Sequence, residues 1–138
     1  TVTEALAAFL SQFRPGDYVA LMAYVPYRAD IDAALGVVRQ EIRAVLRAAT
    51  TVGYGPRFLH STGQLHKGDG NKGLFIQITH TPATDVDIPG EPYSFATLLA
   101  AQAQGDYNAL LASDRRIIRF HIENGQDIPE TILKLISG

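Results

Sequence analysis

The chain has 138 residues, which is enough for one ordinary domain and too few for two. Apolar residues make up 46% of it and the net charge is -2, so a disordered chain is excluded and a basic nucleic-acid-binding face is not expected. Cysteine is absent, which excludes disulfides, thiol nucleophiles and cysteine-based zinc sites. No apolar run approaches the roughly 18 residues of a membrane span. We therefore expect a single cytoplasmic domain over 1–138, with no nucleic-acid or membrane partner.

In the first half of the chain, the sequence pattern predicts alternating helices and strands. Apolar residues at helical spacing predict a helix over 1–13, with threonine caps at its start. The nearly continuous apolar run over 17–25 predicts a strand buried on both faces, at the centre of a parallel sheet. A second apolar stripe predicts a helix over 30–49, and a short strand follows over 50–55. This alternation is typical of an α/β fold.

The middle of the chain continues the same pattern. A short helix is predicted over 60–67 and a third strand over 74–79. The segment 80–91 contains two prolines and is predicted to be a loop of the kind that often carries function. Helical spacing resumes over 93–104, where Gly105-Asp106 is expected to end the helix.

The last third completes the alternation. A short helical piece is predicted over 107–113, a fourth strand over 115–122, and a helix over 129–136 with Pro129 in its first turn. Together the elements predict a three-layer α/β sandwich, a mostly parallel sheet with helices on both faces. The order of the strands cannot be read from the sequence.

Ligands of such sheets bind beyond the carboxyl ends of the strands. In this chain that rule selects four places, which are Tyr27 with Arg28, the segment 56–62, His80 with Thr81, and Glu123 with Asn124. His80 is the weaker of two candidate histidines, and His121, inside a strand, is expected to be structural.

The stronger candidate, His60, lies in the densest polar segment of the chain, residues 53–73. On a helix over 60–67, His60, Gln64 and Lys67 share one face, and His66 points about 120° away. The two histidines therefore do not have metal-ligand spacing, and we expect no metal.

The start of that helix offers a second kind of chemistry. Ser61 and Thr62, with the free backbone N–H groups there, form either a phosphate site or an ordinary cap. His60 beside them is either a proton-transfer group or a structural histidine. The glycine-rich segment 68–73 lacks the P-loop pattern and is predicted to be a turn.

Several separated segments carry a family resemblance. These are GYGPRFLHSTGQLHKG, GLFIQIT, IPGEPYSF, AAQAQGD and RRIIRFHI, in this order. They resemble the C-terminal part of bacterial bifunctional transaldolase/glucose-6-phosphate isomerase proteins. The resemblance implies a SIS-type phosphoglucose-isomerase-like fold and the interconversion of glucose 6-phosphate and fructose 6-phosphate through a cis-enediol, without metal or organic cofactor.

The resemblance also assigns roles and partners. The segment His60-Ser61-Thr62-Gly63-Gln64-Leu65-His66-Lys67-Gly68 is similar to the family segment whose first histidine helps to open the sugar ring, although the spacing of its histidines is one residue shorter. The resemblance implies that His60 is catalytic and that Ser61, Thr62, Gln64 and Lys67 bind the sugar phosphate. It also implies a homodimer or a docked partner domain, because this histidine reaches into a neighbouring subunit's active site in the family. The catalytic base and a phosphate-binding Ser/Thr loop are expected upstream of Thr1.

A start at Thr1, with Met22 as the single methionine, favours a C-terminal fragment of a longer protein. The charged share of 19% is below the usual value of about 25%, which suggests a surface covered by the rest of that protein or a second copy. We expect the chain alone to be inactive, because we can nominate no catalytic base in it. The alternatives are a non-catalytic structural or sugar-phosphate-binding module packed on the isomerase, and a free-standing sensor of sugar phosphates.

Overall fold

A computed structural model describes residues 1–55, 72–82 and 85–137 of the chain. Within these ranges helices and strands alternate for most of the length, which confirms the predicted α/β class. The elements are α1 (Val2–Leu10), β1 (Tyr18–Tyr24), α2 (Ala29–Leu46), β2 (Ala49–Tyr54), β3 (Gly73–His80), α3 (Phe95–Ala112), β4 (Arg116–Ile122) and α4 (Ile128–Ser137).

Local chemistry explains where the first two helices begin and end. Thr1 caps α1 in a reciprocal arrangement with Glu4, in which each side chain accepts a hydrogen bond from the other residue's backbone N–H. The acidic residues Asp30 and Asp32 lie in the first turn of α2, where the helix dipole favours negative charge. Arg47 ends α2 by adopting a left-handed conformation, with φ of 54°.

The four strands form one parallel sheet in the order β2-β1-β3-β4. The predicted central position of β1 is confirmed, because β1 pairs with β2 on one side and β3 on the other. Tyr18 at its start is in register with Ala49 of β2 and with Gly73 of β3. The strand order reverses direction between β1 and β3, so this pair marks the topological switch point of the sheet.

Successive side chains of each strand point to opposite faces of the sheet, so the core is divided into two layers. One face of β1, with Val19, Leu21 and Ala23, packs together with the buried residues of α1, α2 and α4. The other face, with Ala20, Met22 and Tyr24, packs against α3 through Ala103 and Leu110. Helices therefore cover both faces of the sheet, and the predicted three-layer sandwich is confirmed.

The predicted break at Gly105-Asp106 is wrong, because α3 runs without interruption from Phe95 to Ala112. The predicted pieces 93–104 and 107–113 are one helix. Asp106 is buried and accepts a hydrogen bond from the hydroxyl of Tyr24, so the carboxylate has a tertiary partner and does not compete for the helix backbone. No helix in the described ranges has the length and apolar character needed to cross a membrane.

Candidate functional site at the carboxyl edge of the sheet

The carboxyl ends of the parallel strands meet at one edge of the sheet, which we call the carboxyl edge. Three of the four places selected from the sequence lie there, because Arg28, His80, Thr81, Glu123 and Asn124 line one cavity. The fourth, 56–62, falls outside the described residues, although the chain leaves β2 for it at this same edge.

That cavity, the edge cavity, has a volume of about 290 Å³. Its lining includes the polar residues Arg28, His80, Thr81 and Glu123, together with prolines 26 and 82 and the apolar residues Ile122 and Ile128. A cavity with such a mixed lining suits a small ligand that carries several polar groups.

A second cavity, the inner cleft, lies between α3 and the sheet and has a volume of about 150 Å³. One wall is apolar and comes from Leu99, Ala100 and Ala103 of α3. The opposite wall comes from the ends of the strands, and its members are Tyr24, Thr79, His80, Arg119 and His121. His80 lines both cavities and is therefore the residue that connects them.

The hydrogen bond of His80 fixes the position of its proton. Its Nδ1 lies 2.8 Å from the backbone carbonyl oxygen of Tyr24. A carbonyl oxygen only accepts hydrogen bonds, so Nδ1 must carry the hydrogen and donate it. In the neutral ring Nε2 then holds the lone pair, and no described residue forms a hydrogen bond with it. His80 thus presents an oriented hydrogen-bond acceptor at the switch point of the sheet.

His121 is used differently, although it lies only one strand away. Its Nδ1 is 2.7 Å from the hydroxyl of Thr79, and its Nε2 is 2.8 Å from the hydroxyl of Thr81. Both ring nitrogens are occupied by neighbouring side chains, so His121 ties the ends of β3 and β4 together. This arrangement agrees with the structural role expected from the sequence.

A layer of polar side chains lies beneath α3. Gln77 is fully buried in β3, donates from Nε2 to the carbonyl of Ala103 at 2.9 Å and accepts from Nε of Arg119 at 2.8 Å. Arg119 also donates from Nη1 to Oε1 of Gln104 at 2.9 Å, and its guanidinium lies 4.5 Å from the centre of the Tyr107 ring. These bonds hold one wall of the inner cleft in a defined geometry.

Tyr24 belongs to the sheet-side wall of the inner cleft. Its hydroxyl donates to Oδ2 of Asp106, and both side chains are buried. Burial and the neighbouring carboxylate raise the pKa of the Tyr24 phenol well above its ordinary value, so the hydroxyl keeps its proton at neutral pH. Tyr24 is therefore a neutral hydrogen-bonding group of the cleft.

The rim of the site beside β1 and β2 is aromatic and charged. The Tyr54 hydroxyl donates to Oδ1 of Asp32 at 2.7 Å, and burial together with this carboxylate raises the pKa of the phenol. The ring of Tyr27 lies against that of Tyr54, with centroids 4.8 Å apart. Arg28 donates from Nε and Nη2 to the two carboxylate oxygens of Asp30, at 3.1 and 3.0 Å.

The site residues predicted from the sequence, His60, Ser61, Thr62, Gln64 and Lys67, all lie outside the described residues, as does the predicted helix over 60–67. Within the described part of the chain, no three histidine, aspartate or glutamate side chains cluster in a way that could hold a metal ion.

Sequence reasoning missed the polar layer beneath α3. The signal was present, because Gln77 interrupts the apolar run of β3 from Leu74 to Ile78, and Asp106 is the one charged residue of an 18-residue helix. A polar residue in a strand buried on both faces needs a partner, and Arg119, in register with Gln77 on the neighbouring strand β4, provides it.

Comparison with known proteins supports the fold and leaves the activity open. No protein-family model matches the chain, and no curated protein matches it. Among solved structures, it is similar to a hypothetical protein from Thermus thermophilus, with a TM-score of 0.72 and 20% sequence identity over 94% of this chain. The chain covers 36% of that protein, so it corresponds to about a third of the Thermus chain.

Proposed function

We propose that this chain is the sugar-phosphate-binding domain of a glucose-6-phosphate isomerase, joined to a transaldolase in a longer polypeptide. The resemblance of its sequence segments suggests the reaction, and the observation that carries the proposal is His80. An oriented imidazole acceptor stands at the switch point of a parallel α/β sheet, between two cavities lined by hydroxyl and charged groups.

The chemistry of the site suits this substrate class. Isomerisation of an aldose to a ketose moves protons among hydroxyl oxygens and two carbons, which requires groups that accept and return a proton near neutral pH. Nε2 of His80 can accept a hydrogen bond from a sugar hydroxyl, and Arg28 can donate to a phosphate or hydroxyl oxygen. His60, Ser61, Thr62, Gln64 and Lys67 would complete the site from the segment that follows β2.

In this proposal the chain contributes part of an active site. The catalytic base and the phosphate-binding loop are supplied by the remainder of the polypeptide, and a second subunit completes the site in a homodimer. We therefore expect the isolated chain to bind fructose 6-phosphate and to leave it chemically unchanged.

A titration of fructose 6-phosphate into the chain, followed by backbone amide shifts, tests the proposal. We expect saturable shifts at the ends of β1, β3 and β4. The His80→Asn variant keeps a donor near the position of Nδ1 and removes Nε2, so we expect the dissociation constant to rise about tenfold, the value of one hydrogen bond. Absence of shifts at millimolar ligand would contradict the proposal.

One observation favours the non-catalytic alternative. A groove between α1, α2 and α4, with a volume of about 310 Å³, is lined mostly by apolar side chains, among them Leu6, Leu10 and Val45. Val45 is 70% exposed. A chain that packs on an isomerase without binding sugar would show amide shifts around this groove on mixing with the rest of the polypeptide, and none with fructose 6-phosphate.

A further inference from the structure

The most exposed large apolar side chain described is Tyr27, with 76% of its surface accessible. Its ring is nevertheless supported, because it packs against the ring of Tyr54 at a centroid distance of 4.8 Å and an angle of 61°. Tyr54 is itself half-buried and held by its hydrogen bond to Asp32. Tyr54 and Asp32 therefore orient the ring of Tyr27, which remains open to solvent. We call the Tyr27–Tyr54 pair the aromatic step.

The aromatic step lies at the carboxyl edge of the sheet. Tyr54 is the last residue of β2, and Tyr27 follows the end of β1 by three residues. Arg28, the next residue in the chain, lines the edge cavity together with His80. Tyr27 is therefore adjacent in the chain to a lining residue of that cavity.

Charged groups beside the step can bind hydroxyls. Arg28 and Asp30 form a two-bond planar pair, and more than half of each side chain is exposed. A guanidinium has five N–H donors and a carboxylate has about four acceptor sites, so both groups keep capacity for a ligand while paired. A hydroxyl group both donates and accepts hydrogen bonds. A ring that carries several hydroxyls around its rim can therefore bind the N–H donors of Arg28 and the carboxylate oxygens of Asp30 at the same time.

We propose that the Tyr27–Tyr54 step is a sugar-ring subsite, in which the C–H face of a sugar stacks on Tyr27 while its hydroxyls bind the Arg28–Asp30 pair. The face of an aromatic ring carries partial negative charge and attracts the weakly positive C–H groups of such a ring. The identity of the ligand as a sugar phosphate rests on the proposed function. The subsite adds to the proposed function a position for the sugar ring, near the ends of β1 and β2.

The test measures binding of fructose 6-phosphate, methyl glucoside and inorganic phosphate to four forms of the chain, by shifts of the tyrosine ring and backbone amide signals. We expect Tyr27→Ala to raise the dissociation constants of fructose 6-phosphate and methyl glucoside about fivefold and leave that of phosphate unchanged. Tyr27→Phe keeps the ring and should stay within about twofold of the parent. Val37→Ala, a change at an exposed site on α2 that lines neither the edge cavity nor the apolar groove, is the matched control.

The outcomes separate the subsite from the proposed function. If the parent chain binds fructose 6-phosphate but Tyr27→Ala binds it equally well, the subsite is overturned and the proposed function stands. If methyl glucoside shifts the Tyr27 ring signals and fructose 6-phosphate does not bind, the subsite stands and the proposed function fails. If neither sugar binds the parent chain, both are overturned.

Discussion

Gly55 is the residue that leaves room for the ring of Tyr24 in the wall of the inner cleft. A Cβ atom at this position would lie 2.5 Å from Cε2 of Tyr24, against a ring that is buried and held by Asp106. The backbone N–H of Gly55 also donates to the carbonyl of Ala23 at 2.8 Å, so the backbone has little freedom to retreat. Glycine is thus required here by the close approach of a rigid side chain.

We expect Gly55→Ala to lower the free energy of unfolding by about 1–3 kcal/mol, because it overpacks the Tyr24 ring. Gly36→Ala is the matched control, since Gly36 lies inside α2 and no atom is within 4 Å of an added Cβ. That variant should gain about 0.5–1 kcal/mol from the higher helix propensity of alanine. Urea unfolding measures both values, and equal effects at the two positions would contradict the packing explanation.

The elements at the opposite edge of the sheet are joined by a partly buried ion pair. Oδ2 of Asp17, just before β1, accepts from Nη1 of Arg116 at 2.9 Å and from the backbone N–H of Arg14 at 2.8 Å. Arg116, the first residue of β4, also donates to the carbonyl of Gln12 at 3.0 Å. The pair therefore connects the end of α1, the start of β1 and the start of β4.

Asp17→Asn should destabilise the fold by about 1–3 kcal/mol at neutral pH, because it removes a hydrogen-bonded charge from a partly buried pair. The hydrogen bond from Arg116 lowers the pKa of Asp17 below its ordinary value of 3.8. As the pH falls, the Asp17 carboxylate is therefore protonated in the unfolded chain before it is protonated in the folded chain. Its contribution to stability is complete above the unfolded pKa of 3.8 and is lost as the pH falls through the lower pKa of the folded state.

Urea unfolding as a function of pH checks this prediction. The difference in unfolding free energy between Asp17→Asn and the parent chain should shrink below about pH 4. Glu130→Gln is the control, because Glu130 and Lys134 form an exposed pair 4.0 Å apart and should contribute less than about 0.5 kcal/mol. A difference that stays constant down to low pH would show that the charge of Asp17 is unimportant.

At the scale of the whole molecule, the two core layers share the central strands β1 and β3. Neither layer can form without them, so we expect the chain to unfold as one unit, as most chains under about 150 residues do. Circular dichroism, which follows the helices, and the ring signals of buried Tyr24 should give the same midpoint in urea. Two separate transitions would contradict the predicted single domain.

Much of this architecture could be predicted from the sequence. The apolar run over 17–25 indicated the central strand, helical spacing located α1, α2 and α4, and strand ends pointed to Arg28, His80 and Glu123. Such signals are local, because side-chain periodicity and capping depend on neighbours within a few residues. The same local signals failed at Gly105-Asp106, where a tertiary contact with Tyr24 overrides the weak helix propensity of both residues.

The sequence by itself therefore determined the class of the fold, its parallel sheet and which polar residues meet at the carboxyl edge. The tertiary structure alone decided the strand order, the partners of Gln77 and Arg119, and which nitrogen of His80 carries the proton. These features depend on residues far apart in the chain, such as Tyr24 and His80, that only the packing of β1 against β3 brings within hydrogen-bond distance. No periodicity in the sequence records such a contact.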